Sequence, residues 1–224
     1  MATVDPDRRV RVWDLPTRLF HWSLVVLVVC SLVTAEVGGN AMEWHMKSGY
    51  AVLTLLLFRI LWGLAGSRHA LFANFVRPPG EILRHVRATL AGTAPRSVGH
   101  NPLGAISVLL MVLTLLLQAG TGLFARDNIF NEGPLAQFVS NAASDWLTSV
   151  HRRNEVTTYV LVALHVLAVA YYAFVKRDNL VLPMITGDKA SCDAPPAEDG
   201  ASVRLRALVF LALCAAFVAY IVTP

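Results

Sequence analysis

The sequence predicts an all-α membrane protein with five crossing helices, four of them a core and the fifth an addition at the C-terminal end. Two observations carry this expectation. Hydrophobic residues make up 55% of the chain and charged residues only 15%, against about one quarter charged in soluble domains. Five apolar runs also stand near the about 20 residues that a helix needs to cross about 30 Å of hydrocarbon. Helices rather than open sheets are expected, because backbone groups in lipid must be satisfied within the spanning segment.

The first run, residues 19–37, follows a charged N-terminal segment, residues 1–18, which contains Arg8, Arg9, Arg11 and Arg18. It is longer than the about 7–15 residues of a signal-peptide core, and the head also holds Asp5, Asp7 and Asp14, so it reads as a retained helix. The others are residues 45–64, 103–124, 155–175 and 205–222. Between the second and third, residues 80–92 read as a short basic amphipathic helix on the membrane surface after the Pro78-Pro79 break. Residues 133–150, with Leu135, Phe138, Val139, Trp146 and Leu147, read as a partly buried helix or lid. The stretch 187–200, with Pro195 and Pro196, reads as flexible, so that 187–204 forms a cytoplasmic linker to the fifth span. Trp13, Trp22, Trp44, Trp62, Trp146, Tyr50 and Tyr171 fall mostly near span ends, as an aromatic belt requires.

Lys and Arg counted by side set the orientation, because cytoplasmic loops retain them. The N-terminal head, the loop 65–102 and the segment after span four hold fourteen; the opposite side holds four, Lys47, Arg126, Arg152 and Arg153. The N-terminus is expected inside and the C-terminus outside. The net charge of +4 is spread over these loops and forms no single face, which argues against nucleic acid as a partner. Cys30, Cys192 and Cys214 are far apart and no Cys-x-x-Cys-His occurs, so covalent haem attachment and a disulfide framework are both excluded.

Ionisable residues in spans are expensive and mark function. Of seven histidines, His21, His45, His151 and His165 sit in or at the ends of spans; His69, His85 and His100 lie in a loop and read as solvated. His151 and His165 are fourteen residues apart, a rise of about 21 Å and a rotation about 40° short of four turns, so they share one face at opposite depths. By topology His45 lies at the depth of His151 and His21 approaches that of His165. Two imidazole pairs suit two low-spin haems, His45 with His151 and His21 with His165, as axial ligands on opposite sides of a flat macrocycle. Interfacial or capping roles remain open for each histidine alone. One tetrahedral metal site shared by all four is excluded by the separation.

Arg59, fourteen residues after His45, reads either as a partner for a haem propionate or as an arginine snorkelling to the interface. Arg18, Arg152 and Arg153 are further propionate candidates. Gly49, Gly120 and Gly122 leave room for a flat ring or for close helix packing.

These residues resemble the bacterial cytochrome b561 family, which includes the b-type cytochrome subunits of nickel-iron hydrogenases. The matching stretches are Val12-Trp13-Asp14-Leu15-Pro16-Thr17-Arg18-Leu19-Phe20-His21-Trp22, His45 with Gly49, Arg59-Ile60-Leu61-Trp62-Gly63, His151 with His165, and Pro183-Met184-Ile185-Thr186-Gly187. The resemblance implies a transmembrane four-helix bundle over residues 19–186, with residues 205–222 as the additional helix. It further implies two b-type haems on His21, His45, His151 and His165, and a place in the bacterial inner membrane among its lipids. Electrons would pass between the quinone pool and a periplasmic redox protein such as a cytochrome c or a hydrogenase, making the chain an electron-transfer subunit rather than a complete enzyme. Two other readings stay open at this point: a stand-alone quinone-linked oxidoreductase acting on superoxide or ferric iron, and a haem-free scaffold or transporter.

Overall fold

A computed structural model describes residues 9–93, 97–127, 131–190 and 194–223. Asp5, Asp7, Arg8, Arg96 and Cys192 lie outside the described residues. The architecture is all-α: a bundle of four membrane helices with a fifth at the C-terminal end. A short strand β1 (Arg9–Arg11) leads into α1 (Leu15–Val37), which ends at Gly38-Gly39, and α2 (Met42–Ala65) follows. A one-turn helix α3 (Phe72–Phe75) and α4 (Pro79–Leu90) precede α5 (Pro102–Gly122). Then come α6 (Asn141–Phe174), α7 (Val181–Thr186), strand β2 (Asp188–Ala190) and α8 (Ala201–Val222). Helices α1, α2, α5, α6 and α8 are all long and apolar enough to cross a membrane.

Local chemistry sets the helix ends. Asp14 caps α1, its Oδ1 accepting the Thr17 N–H at 2.6 Å, and Asn101 caps α5 through the Gly104 N–H at 2.7 Å. Neither Gly nor Pro interrupts Asn141 to Phe174, so α6 runs unbroken for 34 residues, about 51 Å. That length revises the expected lid at 133–150. Its second half is the N-terminal extension of α6, and only Ala136–Phe138 forms a separate 3-10 turn.

The residues group into two compact units. One comprises Met1–Leu19, Leu61–Leu110 and Ala163–Ala207; it is called the strand unit here. Its centre is the Asp14 carboxylate, 1% exposed, which accepts the Trp62 indole N–H at 3.3 Å and the Ser67 hydroxyl. Trp62 is fully buried and the Arg206 guanidinium lies 5.6 Å from its ring centroid. Trp62 is therefore a hydrogen-bonded core residue, whereas Trp44 and Trp146 are exposed as a membrane belt requires.

The stretch expected as a flexible linker is pinned in the same unit. β2 pairs antiparallel with β1, Arg9 opposite Ala190 and Arg11 opposite Asp188. The Val12 and Trp13 N–H groups donate to the Gly187 carbonyl at 2.8 and 3.0 Å. Gly187 has φ +93°, and a Cβ there would fall 2.8 Å from the Trp13 carbonyl oxygen, so only glycine fits this crossing. Asp199 accepts the Leu15 N–H at 3.1 Å and pairs with Arg11 at 2.7 Å and Arg204 at 3.3 Å. Proline-rich composition signalled flexibility, but these paired charges hold the chain.

The three loop histidines also depart from a solvated role. His85 is 9% exposed. His100 packs between Trp13 and Phe75, with ring centroids 4.8 and 4.7 Å away. His69 is half-buried and meets the Pro195 carbonyl at 3.0 Å. His69 and His100 belong to segments that fold onto main-chain or apolar partners, and His85 is buried on α4, a tertiary effect that composition conceals.

The second unit comprises Phe20–Ile60, Met111–Val162 and Leu208–Pro224, called the cavity unit here. Val52 and Leu56 of α2 pack with Leu115 of α5, against Leu24, Leu27 and Val28 of α1. Leu53, Leu123 and Val218 form a second cluster, which ties α8 to α2 and α5. Cys214 is buried and Cys30 partly so, as small thiols in apolar helices.

Two outcomes test the strand unit. Asp14→Ala removes a helix cap and leaves the Trp62 and Ser67 donors buried, so stability should fall by about 2–4 kcal/mol in denaturant unfolding; Trp62→Phe, which loses one donor, should fall by about 1–2 kcal/mol. For Asp199, burial alone would raise the carboxyl pKa, but the Leu15 N–H, Arg204 and Arg11 together hold it below the usual range. Its stabilisation is fully present above about pH 4 and is lost as pH falls through the depressed value. Hydrogen exchange at β1, corrected for its intrinsic pH dependence, should accelerate on acidification, and Asp199→Asn should remove that response.

Candidate functional site

The cavity unit encloses a cavity of about 360 Å³ with both His45 and His151 on its wall. The two imidazole centroids are 6.1 Å apart and the ring planes meet at 87°. α2 carries His45 in its first turn and α6 carries His151 at the eleventh residue of its unbroken run. These two helices therefore bring together the two rings that were expected at one depth.

Main-chain carbonyls of neighbouring helices hold each ring. His45 Nδ1 lies 2.9 Å from the Ser31 carbonyl oxygen of α1 and 3.2 Å from its hydroxyl. His151 Nδ1 lies 2.9 Å from the Gln118 carbonyl oxygen of α5. A carbonyl only accepts, so in both rings the proton sits on Nδ1 and the lone pair on Nε2. Such anchoring of the remote nitrogen orients an imidazole that ligates a metal. Gly122 lets the ring approach α5, for a Cβ there would stand 3.0 Å from His151 Cε1.

A haem can be tested against this arrangement. Two metal–imidazole bonds of about 2 Å, with each nitrogen about 1.1 Å from its ring centre, require centroids about 6.2 Å apart. The observed 6.1 Å fits, and in each ring Nδ1, not Nε2, takes the main-chain carbonyl. Gly49 also lines the cavity, and a Cβ there would meet nothing within 4 Å. Among the described residues, no three His, Cys, Asp or Glu side chains converge into a metal-binding group.

Polar neighbours that the sequence reading passed over complete the site. The Gln118 amide nitrogen is 3.2 Å from His151 Nε2. Asn154 Nδ2 donates to Gln118 Oε1 at 2.7 Å and to the Thr114 carbonyl at 3.0 Å. Gln118 stands in an otherwise apolar helix, and that isolation was the available signal. Arg126 lines the cavity, with its guanidinium at 2.9 Å from Asp145; the Asp145 hydrogen bond raises its pKa further.

The remaining candidates are distributed as follows. Arg152 lines the cavity, while Arg153 is exposed and does not. Arg59 is buried on α2 in the cavity unit. Arg18 belongs to the strand unit, donating to the Ile185 carbonyl at 2.6 Å and lying 4.0 Å from Asp199. His21 is half-buried in the cavity unit, its ring edge-on to Trp22 with centroids 5.1 Å apart. His165 is half-buried in the strand unit.

Comparison with known proteins converges with this chemistry. Residues 12–187 match the family model described as prokaryotic cytochrome b561. A protein of Azotobacter vinelandii named "Probable Ni/Fe-hydrogenase B-type cytochrome subunit" is 26% identical over 237 residues, covering 88% of this chain and 97% of its own. A protein of Rhizobium leguminosarum bv. viciae with the same name is 25% identical over 215 residues, covering 80% and 88%. No solved structure gives a significant match. The family match spans most of the chain and includes all four span histidines: the chain belongs to the prokaryotic cytochrome b561 family of membrane b-type cytochromes.

Proposed function

We propose that the chain is a dihaem electron carrier working between membrane quinone and a redox partner at the periplasmic face. His45 and His151 hold one haem, and His21 and His165 the other. The geometry of the first pair is the observation that carries the reading, with rings 6.1 Å apart and both Nδ1 atoms on main-chain carbonyls. The second pair rests on sequence register, since His165 follows His151 by fourteen residues on one unbroken helix, and on the family.

When bound, haem supplies reversible one-electron redox chemistry. The chain contributes ligation and orientation. The Ser31 and Gln118 carbonyls hold Nδ1 of each ring and so leave Nε2 as the ligating nitrogen, and the Gln118 amide, held by Asn154, would have to release His151 Nε2 for haem to bind there. Arg126 and Arg152 bring positive charge to the cavity wall for propionate carboxylates; Arg59, fourteen residues after His45 on α2, is the propionate candidate for the second haem by sequence register alone.

The excess of Lys and Arg on one side supports an inner-membrane topology with the N-terminus cytoplasmic and the C-terminus periplasmic. The name that the Azotobacter vinelandii and Rhizobium leguminosarum relatives bear supports a nickel-iron hydrogenase as the redox partner.

The reduced-minus-oxidised visible spectrum of the purified protein, with haem quantified per chain, tests this reading. A b-type band and close to two haems are expected; colourless protein would overturn it. His45→Ala or His151→Ala should each lose about half of the haem and leave the other site's spectrum intact. Retention of both haems in both variants would refute the pairing. Reduction by a quinol, followed by electron delivery only when a soluble partner is added, separates a carrier from a stand-alone oxidoreductase.

A further inference from the structure

The strand unit contains a second, polar cavity of about 180 Å³, remote in sequence from the His45–His151 site, with His85, Asn101, Tyr172, Lys176 and Lys189 among its lining. His85 is the informative residue. It projects from α4, is only 9% exposed, and its Nε2 has no hydrogen-bond partner among the described residues. A buried polar nitrogen left unsatisfied is costly and rare, and here it lines a cavity.

Its neighbours define what would satisfy it. Asp178, the carboxylate of the cavity, is paired with Lys189 at 3.0 Å, and both side chains are mostly buried. The half-buried Lys176 on the same wall has its ammonium 6.0 Å from the Tyr171 ring centroid. The Tyr172 hydroxyl accepts from Asn101 Nδ2 at 2.6 Å, so its own proton is available to donate. Lys176, the Tyr172 hydroxyl and the unpartnered His85 Nε2 thus line one space. α5 begins directly after Asn101, and a helix N-terminus adds favourable potential for negative charge.

We infer that this cavity, built around His85 and Lys176, binds a phosphate group. Tyr172 closes the last turns of one membrane-crossing helix and Asn101 opens another, which puts the cavity at headgroup depth. α4 beside it presents exposed Leu83 and Leu90 with basic Arg84 and Arg87, a pattern that lies on a membrane surface. Basic pockets between helix ends take the phosphate of anionic lipid headgroups. A free phosphate would meet the same donors.

Two measurements distinguish these sources. The full-length protein is placed in nanodiscs of phosphatidylcholine alone or mixed with phosphatidylglycerol, and the lipid retained after delipidating washes is counted by native mass spectrometry. Retention of phosphatidylglycerol is expected, falling about tenfold or more in both Lys176→Gln and His85→Asn and remaining at the wild-type level in Arg68→Gln, an exposed basic residue of the same unit. Separately, inorganic phosphate is titrated into detergent-solubilised protein while the unfolding midpoint is followed. A midpoint rise abolished by both variants, without selective lipid retention, identifies free phosphate as the source and supports the site. Circular dichroism establishes that the variants fold, and Lys176→Gln, at a half-buried position near a helix end, keeps the test decisive if His85→Asn does not fold. Equal lipid retention in all proteins together with no response to phosphate would overturn the inference.

Discussion

A polar atom inside a bundle of membrane helices has no water to turn to, and each such atom must find a partner within the protein or in a bound group. This constraint organises both units. In the cavity unit it sends His45 Nδ1 to the Ser31 carbonyl and His151 Nδ1 to the Gln118 carbonyl. Those two bonds decide which nitrogen of each ring is left to act. In the strand unit it gathers Thr17, Trp62 and Ser67 around the Asp14 carboxylate.

The Asp14 cluster also joins motifs that stand far apart in this chain. Asp14 lies in the stretch leading into α1, Trp62 near the end of α2, and Gly187 at the end of α7. The indole N–H of Trp62 reaches Asp14, while the Val12 and Trp13 amides reach the Gly187 carbonyl. One small region of hydrogen bonds therefore fixes the start of α1, the end of α2 and the chain after α7.

Function in this architecture is a matter of spacing. Helices supply rigid rulers, and fourteen residues along α6 set His151 and His165 about 21 Å apart in rise. Charge placement is equally economical: Arg126 stays at the cavity wall because Asp145 and Asn141 hold its guanidinium, whereas Arg18 is committed to Ile185 and Asp199. Identical side chains thus differ in role according to the acceptors that tertiary contacts bring within reach.

Much of this was legible in the residues alone. Apolar runs of spanning length determined the five helices, because the bilayer fixes their length, and the order of the spans put His45 at the depth of His151, whose rings the structure sets 6.1 Å apart. The amphipathic helix near residues 80–92 was readable because helical rise and rotation are constant. What the tertiary structure decided were the partners between distant segments. Burial of Trp62 and His85, the contacts of Arg11 with Asp188 and Asp199, and the Gln118–Asn154 contacts beside His151 all join residues far apart in the chain. Local composition carries no signal of such contacts. Periodicity reports which way a side chain faces along its own helix, but the acceptor that it meets belongs to another.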